Sequence, residues 1–518
     1  MLTPPRIAVA RIARCRRLGQ HGWAARGALA RQLAAIVAVC ALAAASANAQ
    51  VPGNGAALLL PASLQPVDAA AGASPAATGD SEIRNRIAGA GLVVGGERLH
   101  GTLLRQFYAA HNFEPVWATR QAQADALVNA VLRAGEHGLD PGMFHGALLR
   151  NTAALPPIER ELVMSDAFLA YADALANGAV PVELRMDDED LTPEPIAVAA
   201  ALDNALNSPD PAASVEALAP KSPDYAALRR ALQSYRRATA DGGATPAGAG
   251  GIGNAPGLPA DRSADKSADK TGETRLRQIV VNLERLRWLP RSLPADRVWV
   301  NIANAQLVLY QGGQPVFTTR VVVGDVDKQT PEFQTTIDSL LFNPPWNVPV
   351  SIATKEILPK VARDPGYLSR HHMVTRSNGA IQQLPGAGTA LGQLKFEMQD
   401  RFDVYLHDTP LKKLFSRDNR RQSHGCVRVE NPRELAARLL QQPVEVINKG
   451  VALGYTNRRM LPAPVPVFLV YQTAFAGADG GIEFRPDVYE RDDEIWQHLH
   501  PARQAPVAQR EPAGQRRG

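Results

Sequence analysis

Two stretches of this chain cannot pack a core, and they decide how the rest is divided. Gln50 to Gly79 is Ala, Pro, Gly and Ser with hardly a charge, and Thr239 to Gly272 contains GGATPAGAGGIGNAPG followed by SADKSADK. Such compositions bury too little apolar surface to offset the entropy of ordering. The chain has 518 residues and is 45% hydrophobic, so globular cores belong to the segments on either side. The expected order is a leader at 1–49, a linker at 50–80, a helical domain at 81–238 and a second linker at 239–273. A connecting helix at 274–296 and a mainly β domain at 297–450 follow. Residues 451–500 are expected to pack back on both domains, and 501–518 to be a disordered tail. The fold class is α+β.

The leader accounts for the basic balance. Residues 1–49 hold seven arginines and no acid, so without them the formal charge of +5 becomes about −2. Nothing in that balance calls for nucleic acid. Arg6 to Arg31 precede an apolar run, Leu33 to Ala45, and Ala47-Asn48-Ala49 offers a small-x-small cleavage site. The run falls short of the ~20 residues that span a bilayer, so export with cleavage near Ala49 is expected rather than a permanent anchor. Arg16-Arg17 as a twin-arginine signal and Cys40 as a lipidation site stay open as variants. Of three cysteines, Cys15 and Cys40 lie in the leader, so the mature chain keeps one thiol, Cys426. It has no intramolecular disulfide partner in an oxidising compartment.

Apolar residues recur at helical spacing through Leu103–Tyr108, Ala122–Ala134, Glu161–Ala176, Ile196–Leu206 and Tyr225–Arg236. The histidines of this domain, His100, His111, His137 and His145, show no metal-ligand spacing and are expected on the surface or in turns. Leu276 to Leu286 reads as an amphipathic helix stopped by Pro290. After Pro294 the texture turns to strand: Val298–Ile302, Leu307–Tyr310, Val316–Val323, Thr335–Leu341, Lys395–Met398, Asp403–Leu406 and Val427–Val429. The charged, partly helical stretch from Lys355 (about 355–384) interrupts them as a candidate lid. Its His371-His372 pair reads as solvent-exposed. Asn431-Pro432-Arg433-Glu434 has the cap, proline and acid of a helix start.

Candidate chemistry concentrates in Tyr405 to Glu430. A thiolate, not a thiol, is the nucleophile, and an oriented imidazole can activate it. His407 ends a strand-like segment, and the Asp408 carbonyl is placed to fix its tautomer. A resulting thiolate–imidazolium pair would keep Cys426 open to alkylation below the ~8.5 of an ordinary thiol. Gly425 and Cys426 supply backbone N–H groups for an oxyanion. Arg428 shares a strand face with Cys426 and could hold a substrate carboxylate or pair with a structural acid. His424 and Ser423 are expected to shape the loop.

Ser423-His424-Gly425-Cys426-Val427-Arg428, preceded by Tyr405-Leu406-His407-Asp408-Thr409-Pro410, resembles the signature of L,D-transpeptidases with a YkuD-type catalytic domain. FYAAHNFEPVW (Phe107 to Trp117), NPPWNVP (Asn343 to Pro349), KEILPKVARDPGYL, LPGAGTALGQLKF and FRPDVY extend the likeness to the large Gram-negative branch with an N-terminal scaffold domain. The resemblance implies a periplasmic cell-wall enzyme. Cys426 would attack the bond between the third residue of a peptidoglycan tetrapeptide stem and its terminal D-alanine. The amine of another stem's diaminopimelate would then resolve the thioester. His407 would serve as base and acid, and Tyr405, Trp346 and the lid would shape the groove. No metal or cofactor is implied. Stem peptides are the implied partners, with cell-wall synthesis proteins beside them. Water, a free D-amino acid or a protein amine could resolve the same thioester, and a wall-binding scaffold with vestigial residues is the non-enzymatic reading. Where members of this branch carry a peptidoglycan-binding module, this chain has only linker 239–273.

Overall fold

The structure, a computed structural model, describes residues 77–89, 91–191, 193–240 and 272–500. The expected leader, most of both linkers and the tail lie outside the described residues. No helix among the described residues is long and apolar enough to cross a membrane.

The N-terminal region is helical: α1 (Ala77–Ala88), α2 (Gly101–Ala110), α3 (Gln121–Leu132), α4 (Pro157–Asn177), α5 (Val198–Leu206) and α6 (Pro223–Ala240). Helix α4 is its axis. It opens on a proline at its first position and is buried almost continuously from Glu161 to Ala176. The FYAAHNFEPVW segment folds onto it through one buried carboxylate. Glu161 accepts from the Tyr108 hydroxyl (2.9 Å) and the backbone N–H groups of Val116 (2.6 Å) and Trp117 (3.2 Å). Burial would strand that acid if these donors were absent.

The histidine expectations hold in part, since His145 sits in a turn and His100 is half-exposed, but burial corrects the rest. His137 and His145 are 1% and 4% exposed, not surface residues. Burial pushes the His137 imidazole down to about 2, with Arg229 and Arg287 adding to the effect.

The connecting helix, α7 (Gly272–Arg287), also departs from its sequence pattern. Its last ten residues are buried on all sides, polar ones included. Partners far away in sequence explain this. Glu284 pairs with Arg287 at 2.7 Å and accepts from the Val180 N–H at 2.8 Å. Arg285 meets Asp492 at 2.5 Å, and Asn282 bonds Thr473 at 2.8 Å. The helix is a core axle between the two regions, not an amphipathic spacer.

The β region is one sheet of ten strands. In chain order these are β1 (Glu189–Asp190), β2 (Arg297–Asn301), β3 (Gln306–Gln311), β4 (Gln314–Gly324), β5 (Glu332–Phe342), β6 (Leu394–Met398), β7 (Leu406–His407), β8 (Arg421–Ser423), β9 (Val427–Val429) and β10 (Asn457–Val470). Neighbours run β6-β7-β9-β4-β3-β2-β10-β5-β1, with β8 on β4, and β6 pairs with β5 as well, so the sheet closes on itself. Closure removes open edges. Strand β1 comes from the helical region and lies parallel to β5, Glu189 beside Glu332. The C-terminal segment supplies β10 and then packs Ala474, Ile482, Ile495 and Leu499 into the helical core.

The inserted segment is larger than its charged stretch suggests. It begins with the strand Trp346–Asn347 and adds Met373–Thr375 and Ile381–Gln383 in a three-stranded sheet of its own. Val348, Ile357, Met373 and Ile381 form a small separate core under its helical turns. His371 and His372 are exposed.

Candidate active site

The site is built on the pairing of two short strands. β7 and β9 are parallel, with Leu406 beside Val427 and His407 beside Arg428. Leu406 and Val427 are fully buried in the sheet core. Side chains alternate along a strand, so Tyr405 and His407, and Cys426 and Arg428, project together to the opposite face. The Val427 N–H to Tyr405 carbonyl bond (3.1 Å) carries this register to the level of the thiol.

His407 is 4% exposed, and its Nδ1 lies 2.5 Å from the Asp408 carbonyl oxygen. A carbonyl only accepts, so Nδ1 carries the proton and Nε2 keeps its lone pair. The Asp408 carboxylate is held in turn by the N–H groups of Gln393 (2.9 Å) and Thr409 (2.7 Å) and by Lys412 Nζ (2.6 Å). Burial, and after it the Arg428 charge, pushes the imidazole down to about 3.

The loop before the thiol is closed by Ser423. Its hydroxyl donates to the Cys426 carbonyl (2.6 Å) and accepts the Gly425 N–H (3.1 Å). This corrects one expectation, because the Gly425 amide is already engaged and only the Cys426 N–H is left for an oxyanion. Gly425 has φ +110°, a conformation that favours glycine. Its carbonyl accepts from Thr330 Oγ1 (2.8 Å), which accepts the Gly324 N–H (2.8 Å). A Cβ on Gly324 would fall 2.1 Å from the Lys328 carbonyl, so the doubling-back of 325–330 requires glycine there. Thr330 and Gly324 escaped the sequence reading because the partner of Thr330, Gly425, lies 95 residues away and the need for Gly324 depends on how the backbone doubles back.

His424 does not shape this loop. It reaches out to Glu356 of the inserted segment (2.6 Å), which also takes Lys328 (3.2 Å). The His424 bond, above all, lowers the Glu356 carboxyl below its ordinary range. Asp403 also differs from expectation. It lies at φ +56°, so the strand begins only at Leu406. The Asp400 carboxylate turns the chain there by accepting from the N–H groups of Phe402 (2.7 Å) and Val404 (3.1 Å).

The turn aims the Asp403 carbonyl at the thiol, Sγ lying 3.8 Å away. The sulfur also meets the Tyr405 N–H and hydroxyl, and the same hydroxyl bonds the Trp346 indole. Lys395 Nζ sits 4.1 Å over the Tyr405 ring. Cys426 is partly exposed but closely surrounded, and burial pushes its thiol up despite the Tyr405 donors. Both directions favour a neutral thiol beside a neutral imidazole over the expected thiolate–imidazolium pair. Alkylation of Cys426 by iodoacetamide should rise with an apparent pKa above the ~8.5 of a free thiol. A rate that stays flat down to pH 6 would contradict this.

Arg428 is half-buried, makes no ion pair with an acid among the described residues, and leaves its Nε buried without a partner. The structural-acid alternative thus finds no acid. The site collects Cys426, His407, Tyr405, Trp346 and Arg428 around one thiol.

Comparisons with known proteins agree with this geometry. Residues 295–447 match the L,D-transpeptidase catalytic domain (YkuD) and residues 102–232 match the scaffold domain. A curated Haemophilus influenzae protein, named provisionally as an L,D-transpeptidase, is 32% identical over 243 residues, or 42% of this chain and 48% of that protein. The chain thus spans about half the length of that relative. Among solved structures, the catalytic domain of an Enterococcus faecium L,D-transpeptidase acylated by ertapenem is 14% identical over 35% of this chain and 99% of that one. Its TM-score is 0.20. An L,D-transpeptidase from Mycobacterium smegmatis is 12% identical over 34% of this chain and 58% of that one, with a TM-score of 0.20. Overlaps this small carry no weight beside the family matches. The chain thus holds an L,D-transpeptidase catalytic domain of the YkuD type at residues 295–447 and a scaffold domain at residues 102–232.

Proposed function

We propose that the protein is a periplasmic L,D-transpeptidase that joins third residues of peptidoglycan stem peptides through a Cys426 thioester. The observation that carries this reading is the register of β7 on β9, which collects Tyr405, His407, Cys426 and Arg428 on one face. In the first half-reaction, Sγ attacks the carbonyl of the donor's third residue and its proton passes to His407 Nε2. Cys426 Sγ and His407 Nε2 are not hydrogen-bonded in the free site; substrate closes that gap. The Cys426 N–H faces the developing oxyanion. Collapse breaks the amide bond, and His407 returns the proton to the departing D-alanine amine. In the second half, the acceptor amine attacks the thioester, an amide forms, and the thiol is regained. The unpaired Arg428 guanidinium is suited to a substrate carboxylate, such as the terminal one of the donor. Export of the mature chain follows from the leader reading.

The test is to incubate purified protein with disaccharide tetrapeptides and weigh the products. Loss of D-alanine with dimers supports cross-linking. Loss without dimers would transfer the second half to water, and no loss at all would remove the reading.

A further inference from the structure

Outside the active site, one cluster gathers more ligand chemistry than packing needs. His100 caps α2, and its backbone N–H donates to Asp166 Oδ1 at 2.7 Å. Its Nδ1 lies 2.9 Å from Asp166 Oδ2. His145, in a left-handed turn at φ 57°, brings Nε2 to 2.8 Å from the same Oδ2. Its other nitrogen, Nδ1, is 2.5 Å from Glu97 Oε2. The Asp166 side chain is 0% exposed and that of His145 5%, while the His100 ring is 53% exposed.

A buried aspartate needs partners, but one imidazole and a backbone N–H would serve. Here a single oxygen faces two imidazole nitrogens, and both nitrogens of His145 face carboxylates. A divalent cation would answer this geometry. His100 Nδ1, His145 Nε2 and one Asp166 oxygen become ligands, and the His145 Nδ1–H donates to Glu97. Two neutral imidazoles and two carboxylates then offset a divalent charge. A carboxylate behind a ligating histidine is the usual second support of a metal site. Imidazole with carboxylate suits zinc and its transition-metal neighbours. The three ligand atoms lie within 4.8 Å of one another. The two imidazole–carboxylate separations, 2.9 and 2.8 Å, need only open to about 3.3 Å to seat an ion at ~2.0–2.1 Å bonds. The exposed side of His100 leaves a position for water.

We propose that His100, His145 and Asp166 form a zinc-class divalent metal site in the helical domain, with Glu97 orienting His145. It would clamp the start of α2 and the turn at His145 onto α4, independently of the chemistry at Cys426.

The test is Zn²⁺ titration by calorimetry into the full chain with Cys15, Cys40 and Cys426 changed to alanine, which removes competing thiols. One saturable Zn²⁺ per chain is expected, with a higher melting temperature in its presence. His100→Ala, whose ring is half-exposed, should weaken binding at least tenfold and abolish the thermal shift. Glu97→Gln leaves all three ligands and should weaken binding about 10- to 100-fold. It decides the matter if His100→Ala does not fold. No saturable binding, or equal affinity in the parent and the folded variants, would overturn the site.

Discussion

Replacing Cys426 with alanine is expected to lower D-alanine release from disaccharide tetrapeptides by on the order of 10⁴-fold or more. Removing the nucleophile of a covalent mechanism leaves only binding and oxyanion contacts, and such losses are among the largest single substitutions give. The fold should survive the change. The thiol's recorded carbonyl contact is a 3.8 Å approach to Asp403, weak even for sulfur, and the loop is held by Ser423 and Thr330 instead. Thermal melting of Cys426→Ala within a degree or two of the parent, with no mass increase on incubation with donor, is the expected pair of results. Retention of more than a tenth of the activity would sink the thioester reading. The neutral resting state sharpens the expectation. With the thiol raised by burial and His407 held near 3, the nucleophile is made as substrate binds. Because neutral His407 takes the proton within the complex, acylation should vary less with pH than alkylation of the free thiol does.

How much of this was readable in advance depended on whether the cause was local. The start of the helix at Pro432 and the alternation around Leu406 are properties of neighbouring residues. Composition and spacing report such properties. The arrangement of partners is not local. Helix α7 looks amphipathic because nothing near Arg285 says that Asp492, 207 residues away, will meet it. His100 and His145 look scattered until Asp166 gathers them. Strand β1 has two residues, too few to show any period. The Gly425 amide looked free because a sequence does not say which acceptor an N–H finds. The left-handed Asp403 broke a pattern that a strand would have satisfied equally well.

The second large effect is one of stability, at Arg491. This residue follows Glu490 in the C-terminal segment and is fully buried. Its guanidinium donates to Glu332 (3.2 Å), to Gln329 (3.0 and 2.8 Å) and to Asp188. Those partners lie at the head of β5, on the loop behind Gly425, and beside β1 of the helical region. Arg491→Ala would leave Glu332, itself 1% exposed, with Arg285 and the Tyr471 N–H (2.9 Å) to offset its charge near Glu189. Breaking a buried ion pair from one side costs about 3–5 kcal/mol, far more than the intact pair contributes over an apolar substitute. Denaturant unfolding should show a loss in that range. Removing the stranded charge gives the check. Burial already holds the Glu332 carboxyl above its ordinary range, and the loss of Arg491 raises it further. The deficit should be greatest above the raised value and shrink as pH falls through it. Adding Glu332→Gln should recover part of the loss at neutral pH. A deficit below about 1 kcal/mol, or one that grows as pH falls, would show that Arg491 does not tie the C-terminal segment to the two regions. Because Gln329 sits behind the Gly425 loop, the same variant should also lose activity before it loses its fold.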